Sequence, residues 1–268
     1  MTILPPNLTI QTTQKFSAGP ASRVLVLRPS SGIAGDMLVT GLAKLLKAES
    51  RDFDEALQAL GLDTLIGQVR VVERSVRGIG GFGLQLTLPQ EHEHRTLSDV
   101  LAFFEKATLS ETAKTYINNA FRILAEAEGS VHGIPPEEVH FHEVGALDSL
   151  LDIGLAAIFF EKLGVSSFIC GPLPICDGTI HCAHGPLPAP APAVLALLKG
   201  VRIIGLDSSG ETVTPTGLAL LKAFGAQFGP WPEMLVLEQT LVYGSRILPG
   251  VPNGALFVLG ESTPKVGE

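Results

Sequence analysis

Residues 24–38 read VLVLRPSSGIAGDML, and this stretch decides the fold class. Val24 to Leu27 is an unbroken apolar run of strand length, the pattern of a strand buried on both faces. It enters a Gly-rich turn, Ser31-Gly32-Ile33-Ala34-Gly35-Asp36. Beyond the turn, Met37, Leu38, Leu42, Leu45 and Leu46 recur at helical spacing on one face. Strand, glycine turn and helix in that order open an α/β unit.

The rest of the chain continues the alternation. Val69–Val76 and Phe82–Leu88 are predicted strands, with Gly78, Gly80, Gly81 and Gly83 supplying the turn between them. Helices are expected from Leu97 to Ala107 and from Ser110 to about Glu128, with Ser98 and Ser110 as N-caps. Val139–Val144 is a short extended piece, and Asp148–Leu163 is a strong helix. Phe168–Cys176 is extended and cut by Pro172 and Pro174. A Pro-rich run, Pro186–Pro192, leads into a helix over Ala193–Leu198. Val201–Leu206 is a strand, Thr214-Pro215-Thr216-Gly217 opens a helix to about Phe224, and Met234–Val242 and Ala255–Leu259 close the fold as strands. The expected architecture is α/β, a mixed sheet with flanking helices. It occupies residues 23–261, between a flexible leader at 1–22 and a tail at 262–268.

The bulk properties exclude several classes. Of the 268 residues, 46% are hydrophobic and 17% charged, enough to build a core and too apolar for disorder. The net charge is −8 and there is no Lys/Arg run, which argues against a nucleic-acid binder. The apolar run Ile153–Phe160 falls well short of the roughly 20 residues of a membrane span. The first 22 residues lack the basic start and apolar centre of a secretion signal. Three cysteines, Cys170, Cys176 and Cys182, are no disulfide framework. A cytoplasmic protein is expected.

Four clusters carry candidate chemistry. In His140-Phe141-His142-Glu143, strand periodicity turns both imidazoles to one side and Phe141 to the core. Asp148 and Asp152, one helical turn apart, follow. Two imidazoles with nearby carboxylates suit nickel or zinc; the alternative is a pair of surface histidines beside an acidic helix start. His92, His94 and Arg95 repeat the His-x-His arrangement, with Arg95 able to pair with a phosphate or carboxylate, or they form a polar loop. Cys176, His181, Cys182 and His184 offer softer ligands at no zinc-finger spacing, or buried thiols that act as small hydrophobes. Finally, Ser31, Gly32, Gly35 and Asp36 form one helix-opening turn, and Thr214, Thr216 and Gly217 form another. Such turns attract phosphate, or are simply capped. Beside an anion, Asp36 needs a bridging metal ion or must turn away. Neither turn is a Walker A loop or a dinucleotide fingerprint.

Taken together and in order, several segments resemble the N-terminal region of the LarC-type nickel insertion proteins. They are Ser31–Met37, His92–Arg95, Val131-His132-Gly133, Val139–Ala146 with Asp148-Ser149, His184–Pro188 with Pro190–Pro192, and Glu211 with Thr214–Gly217. The resemblance runs from about Val24 to Glu261. It implies a nickel chelatase or cyclometallase, a lyase that inserts nickel into pyridinium-3,5-bisthiocarboxylic acid mononucleotide. The product is the nickel-pincer cofactor of lactate racemase-type enzymes, and the reaction uses CTP with manganese or magnesium. By the same resemblance, His92, His94, His140, His142, Glu143, Asp148 and His184 become candidate metal ligands. Ser31, Gly32, Gly35, Asp36, Arg95, Thr214, Thr216 and Gly217 become candidate phosphate or substrate contacts. Arg28 stands where the family carries an acid, and Val242–Arg246 matches a Gly-rich family segment only in part. The family's C-terminal ferredoxin-like domain carries the nucleotide site and is not found in this chain, so a separate C-terminal component is expected to supply it. The competing expectation is a nickel carrier or a paralogue without chemistry of its own.

Overall fold

The computed structural model describes residues 22–88, 95–141, 145–182 and 184–262. The expected leader up to residue 21 and the tail from 263, with His92, His94, His142 and Glu143, lie outside the described residues.

In chain order the elements are β1 (Arg23–Pro29), α1 (Gly35–Leu46), α2 (Ser50–Leu60), β2 (Val69–Val76), β3 (Ile79–Leu86), β4 (Arg95–Thr96), α3 (Leu97–Glu105) and α4 (Glu111–His132). Then come β5 (His140–Phe141), α5 (Leu147–Leu163), β6 (Ser167–Cys170), β7 (Leu173–Asp177), β8 (Thr179–Cys182) and β9 (Gly185–Pro188). The last are α6 (Pro192–Leu197), β10 (Ile203–Ser209), α7 (Pro215–Ala223), β11 (Gln227–Phe228), β12 (Met234–Val242) and β13 (Ala255–Ser262). A seven-stranded sheet runs in the order β11-β6-β1-β13-β12-β3-β2. β1, β6 and β11 are mutually parallel, β13 is antiparallel to β1 and β12, and β2 is antiparallel to β3. The expected α/β class with a mixed sheet is what the chain forms.

β1 sits third in the sheet, which explains its continuous apolar run. Leu25 and Leu27 join the main core with the helices, while Val24 and Val26 pack with Val258 in a second, smaller cluster. α1 and α5 lie along each other, and α5 is buried almost all round. Phe160 stacks on Phe224 of the segment after α7, with centroids 4.1 Å apart, tying α5 to α7. Phe53 meets Phe159 edge-on at 5.0 Å and ties α2 to α5.

Some boundaries differ from the sequence reading. The β2–β3 turn is Arg77-Gly78, both at positive φ, the geometry of a two-residue hairpin. Gly80, Gly81 and Gly83 therefore lie within β3, not in the turn. The N-cap of α3 is Thr96, not Ser98: the Thr96 hydroxyl accepts from the Asp99 N–H, and the Asp99 carboxylate accepts from the Thr96 N–H, a reciprocal capping box. The Pro-rich run before α6 is partly a strand, since β8 and β9 form a hairpin. α4 runs a full turn past Glu128 and stops at Gly133 in the left-handed conformation. That extra turn places His132.

Candidate functional site

The two helix-opening turns expected to bind phosphate are one structural unit. The Ile33 N–H donates to the Thr212 carbonyl at 2.9 Å, and the Thr214 N–H donates to the Ile33 carbonyl at 3.1 Å. Gly32 has φ +125, and a Cβ there would fall 1.6 Å from the Thr212 oxygen, so only glycine lets the two backbones meet. Ser31 Oγ accepts from the Gly254 N–H at 3.0 Å, which anchors the turn to the start of β13. The Thr214 hydroxyl accepts from the Gly217 N–H at 3.1 Å and caps α7, and its own proton has no acceptor among the described residues. Thr216 is buried. The N-termini of α1 and α7 thus open side by side, α1 following the C-terminal end of β1, the edge at which open α/β sheets bind ligands.

A pocket of about 230 Å³ adjoins this edge, with Pro215 of α7 in its wall. The last turn of α4 supplies Glu128 and His132, the β8–β9 hairpin supplies His181, Cys182 and His184, and Glu211 and Arg246 complete the polar lining. The His132 and His184 ring centroids are 5.2 Å apart. His132 Nε2 is 3.6 Å from a Glu128 carboxylate oxygen, an i,i+4 pair on the helix. Arg246 Nη1 donates to the Glu211 carbonyl at 3.3 Å, and Cys182 Sγ is 3.6 Å from the Gly185 carbonyl, to which it donates. Of these residues, the sequence offered His181, Cys182 and His184 as soft ligands, and the resemblance carried only His184 into the expected metal set. His132 escapes that set because the predicted helix ends near Glu128; its signal is Gly133, a helix stop one residue further on.

Of the remaining expected ligands, only His140 and Asp148 fall among the described residues. His140 is exposed on β5 opposite Thr96, while its neighbour Phe141 is buried, as strand alternation predicts. His140 lies towards Asp99, whose carboxyl is held below its usual range first by the Thr96 hydroxyl and N–H, with a smaller contribution from His140. Asp148 is exposed in the first turn of α5. Arg95 Nη1 donates to the Gly145 carbonyl at 2.8 Å, bracing the loop that leads into α5. Among the described residues, no three His, Cys, Asp or Glu side chains are grouped as metal ligands.

Two acids are held against their preference. Burial raises the Asp152 carboxyl well above its ordinary range, and the nearby Asp36 and Asp148 charges push it further. Burial also raises Asp36, offset in part by the Met37 N–H and by Arg74. Cys170 is buried and its thiol is pushed up to about 12 by desolvation, which leaves it a packing residue. Cys176 is buried beside Ser208, and burial raises it too.

Among the described residues no helix is long and apolar enough to cross a membrane. No solved structure matches the chain. The sequence profile of the family described as "Nickel insertion protein" matches residues 25–267. The pyridinium-3,5-bisthiocarboxylic acid mononucleotide nickel insertion protein of Staphylococcus epidermidis strain RP62A is 38% identical over 224 residues, covering 84% of this chain and 55% of that protein. The protein of the same name from Geobacillus kaustophilus is 36% identical over 251 residues, covering 90% of this chain and 60% of its own length. The chain therefore spans somewhat more than half the length of these relatives. With the profile running from β1 through β13, the chain belongs to the nickel insertion protein family.

Proposed function

We propose that this chain holds nickel for insertion into pyridinium-3,5-bisthiocarboxylic acid mononucleotide, as the names of its relatives suggest. On this reading it serves maturation of the nickel-pincer cofactor of lactate racemase-type enzymes as part of a chelatase. The observation that carries the reading is the pocket at the end of α4, where His132 and His184 face each other beside His181 and Cys182. Imidazole and thiolate suit nickel, a borderline metal. A protein that hands its metal on is better served by an open, incomplete donor set than by a closed four-ligand cage. Arg246 in the wall and the Thr214 hydroxyl at the start of α7 are the proposed contacts for the phosphate of the mononucleotide, with Arg95 further off.

Equilibrium dialysis with nickel tests the site. Combined His132→Ala and His184→Ala should weaken binding by about tenfold or more. If that variant binds as the parent does while His140→Ala with His142→Ala loses nickel, the metal lies instead at the second candidate set, His140, His142, Glu143 and Asp148. His92 and His94 would be the next to test.

CTP and its manganese or magnesium, which the resemblance implies, are proposed to be held outside the domain formed by residues 23–261. The support is the absence, in the sequence, of a triphosphate loop. The assay incubates the chain with nickel, CTP, manganese and the bisthiocarboxylate mononucleotide. Product from the chain alone would refute the split arrangement. Product only on adding the C-terminal region of a relative would support it. No product in either case, with nickel still bound, would identify a carrier.

A further inference from the structure

The acids at the α1–α5 contact are used neither by the nickel pocket nor by the core. Gly35 opens α1 against the second turn of α5, and a Cβ on Gly35 would stand 2.5 Å from Asp152 Oδ2. Glycine here admits a carboxylate into the helix contact. The Asp36 N–H donates to that carboxylate, but Asp152 Oδ1 is enclosed and has no hydrogen-bond partner among the described residues. The Asp36 side chain accepts from the Met37 N–H at 2.8 Å. Asp148 is the third acid felt by Asp152. Among the described residues Arg74 is the positive charge that acts on Asp36, and it donates to the Gly244 carbonyl. No cation among the described residues compensates Asp152.

A buried carboxylate with an orphaned oxygen beside a second carboxylate is costly. Two chemical states relieve the cost: a proton retained on Asp152, or a cation bound by both acids. We propose that Asp36 and Asp152 form a site for one hard divalent cation of the Mg2+ class, with the orphaned Asp152 Oδ1 as an inner ligand. Two carboxylates with water in the remaining positions is the usual protein contribution to such an ion, because it dehydrates reluctantly and keeps several waters. All-oxygen donors set this site apart from the imidazole and thiol pocket, so the two select different metals. The ion would also remove the repulsion that Asp36 otherwise presents to a phosphate at the start of α1. That consequence rests on the proposed function, whereas the cation site does not.

Mn2+ is the probe, because its free ion is read directly by electron paramagnetic resonance and Mg2+ competes for the same ligands. The folded chain should remove free Mn2+ from solution, and Mg2+ should release it. Asp152→Asn and Asp36→Asn, near-isosteric and neutral, should each weaken Mn2+ binding by about tenfold or more. The histidine double variant of the nickel pocket should retain it. Circular dichroism and melting temperature establish that each variant is folded. The proposal is overturned if the parent chain binds no Mn2+ at millimolar concentration. It is equally overturned if both Asn variants bind Mn2+ as the parent does. Loss of nickel in the histidine variant with Mn2+ binding intact separates this site from the nickel reading, and failure of either leaves the other standing.

Discussion

Replacing Gly32 by Ala tests whether the two turns are one unit. The new Cβ would lie 1.6 Å from the Thr212 carbonyl oxygen, about half a van der Waals contact, and both atoms are fixed to backbone. No rotamer change relieves that clash, so the turns must part. Parting them breaks the Ile33–Thr212 and Thr214–Ile33 hydrogen bonds, worth about 1 kcal/mol each and more if the buried groups stay unpaired. The φ of +125 adds backbone strain of about 1–3 kcal/mol for any residue with a Cβ. The sum is about 3–5 kcal/mol, a large part of the roughly 5–15 kcal/mol that stabilises a typical domain. Gly61→Ala is the control: Gly61 also has positive φ, +75, but an added Cβ there meets nothing within 4 Å. It should cost only about 1–2 kcal/mol, the left-handed penalty alone. Urea unfolding followed by far-UV circular dichroism measures both, provided the slope with denaturant is unchanged. If Gly32→Ala is no more destabilising than Gly61→Ala, the turns are not locked together and the joint site at α1 and α7 must be abandoned.

Without divalent cations, Asp152→Asn should stabilise the chain, and by more as pH rises. The folded carboxyl is raised, so the stability it contributes is complete below the unfolded value of about 3.9 and is lost as pH climbs through the folded value. The variant should match the parent near pH 4 and exceed it at neutral pH, by about 1.4 kcal/mol for every tenfold by which folding weakens the acid; equal pH profiles of melting temperature would contradict this. Thr96→Ala should cost about 1 kcal/mol by removing the α3 cap, and Ser98→Ala a fraction of that. Equal losses in urea unfolding would return the cap to Ser98.

Local chemistry made much of the fold legible from sequence. The Val24–Leu27 run, the helical spacing after Asp36, the Pro215 start of α7 and the His140–Phe141 alternation each depend on neighbours within a few residues, and each element formed where it was expected. Local reasoning slipped where competing local signals were nearly equal, as between Thr96 and Ser98, or between a Gly-rich strand and a turn at Gly78–Gly83.

The Ser31–Asp36, Val131–Gly133, His184–Pro188 and Glu211–Gly217 segments were all visible as motifs. Their spacing in the chain said nothing of which would meet. Tertiary structure alone set the Gly32 turn against Thr212, faced His132 with His184 across the end of α4, and pressed Asp152 onto Gly35. These contacts join residues far apart in sequence. They are decided by how apolar helices settle on the sheet, because burying α1, α4, α5 and α7 together brings particular helix ends to one edge, whatever polar side chains those ends carry. Sequence by itself determined the family, the elements and the available donors; packing decided which donors share a pocket.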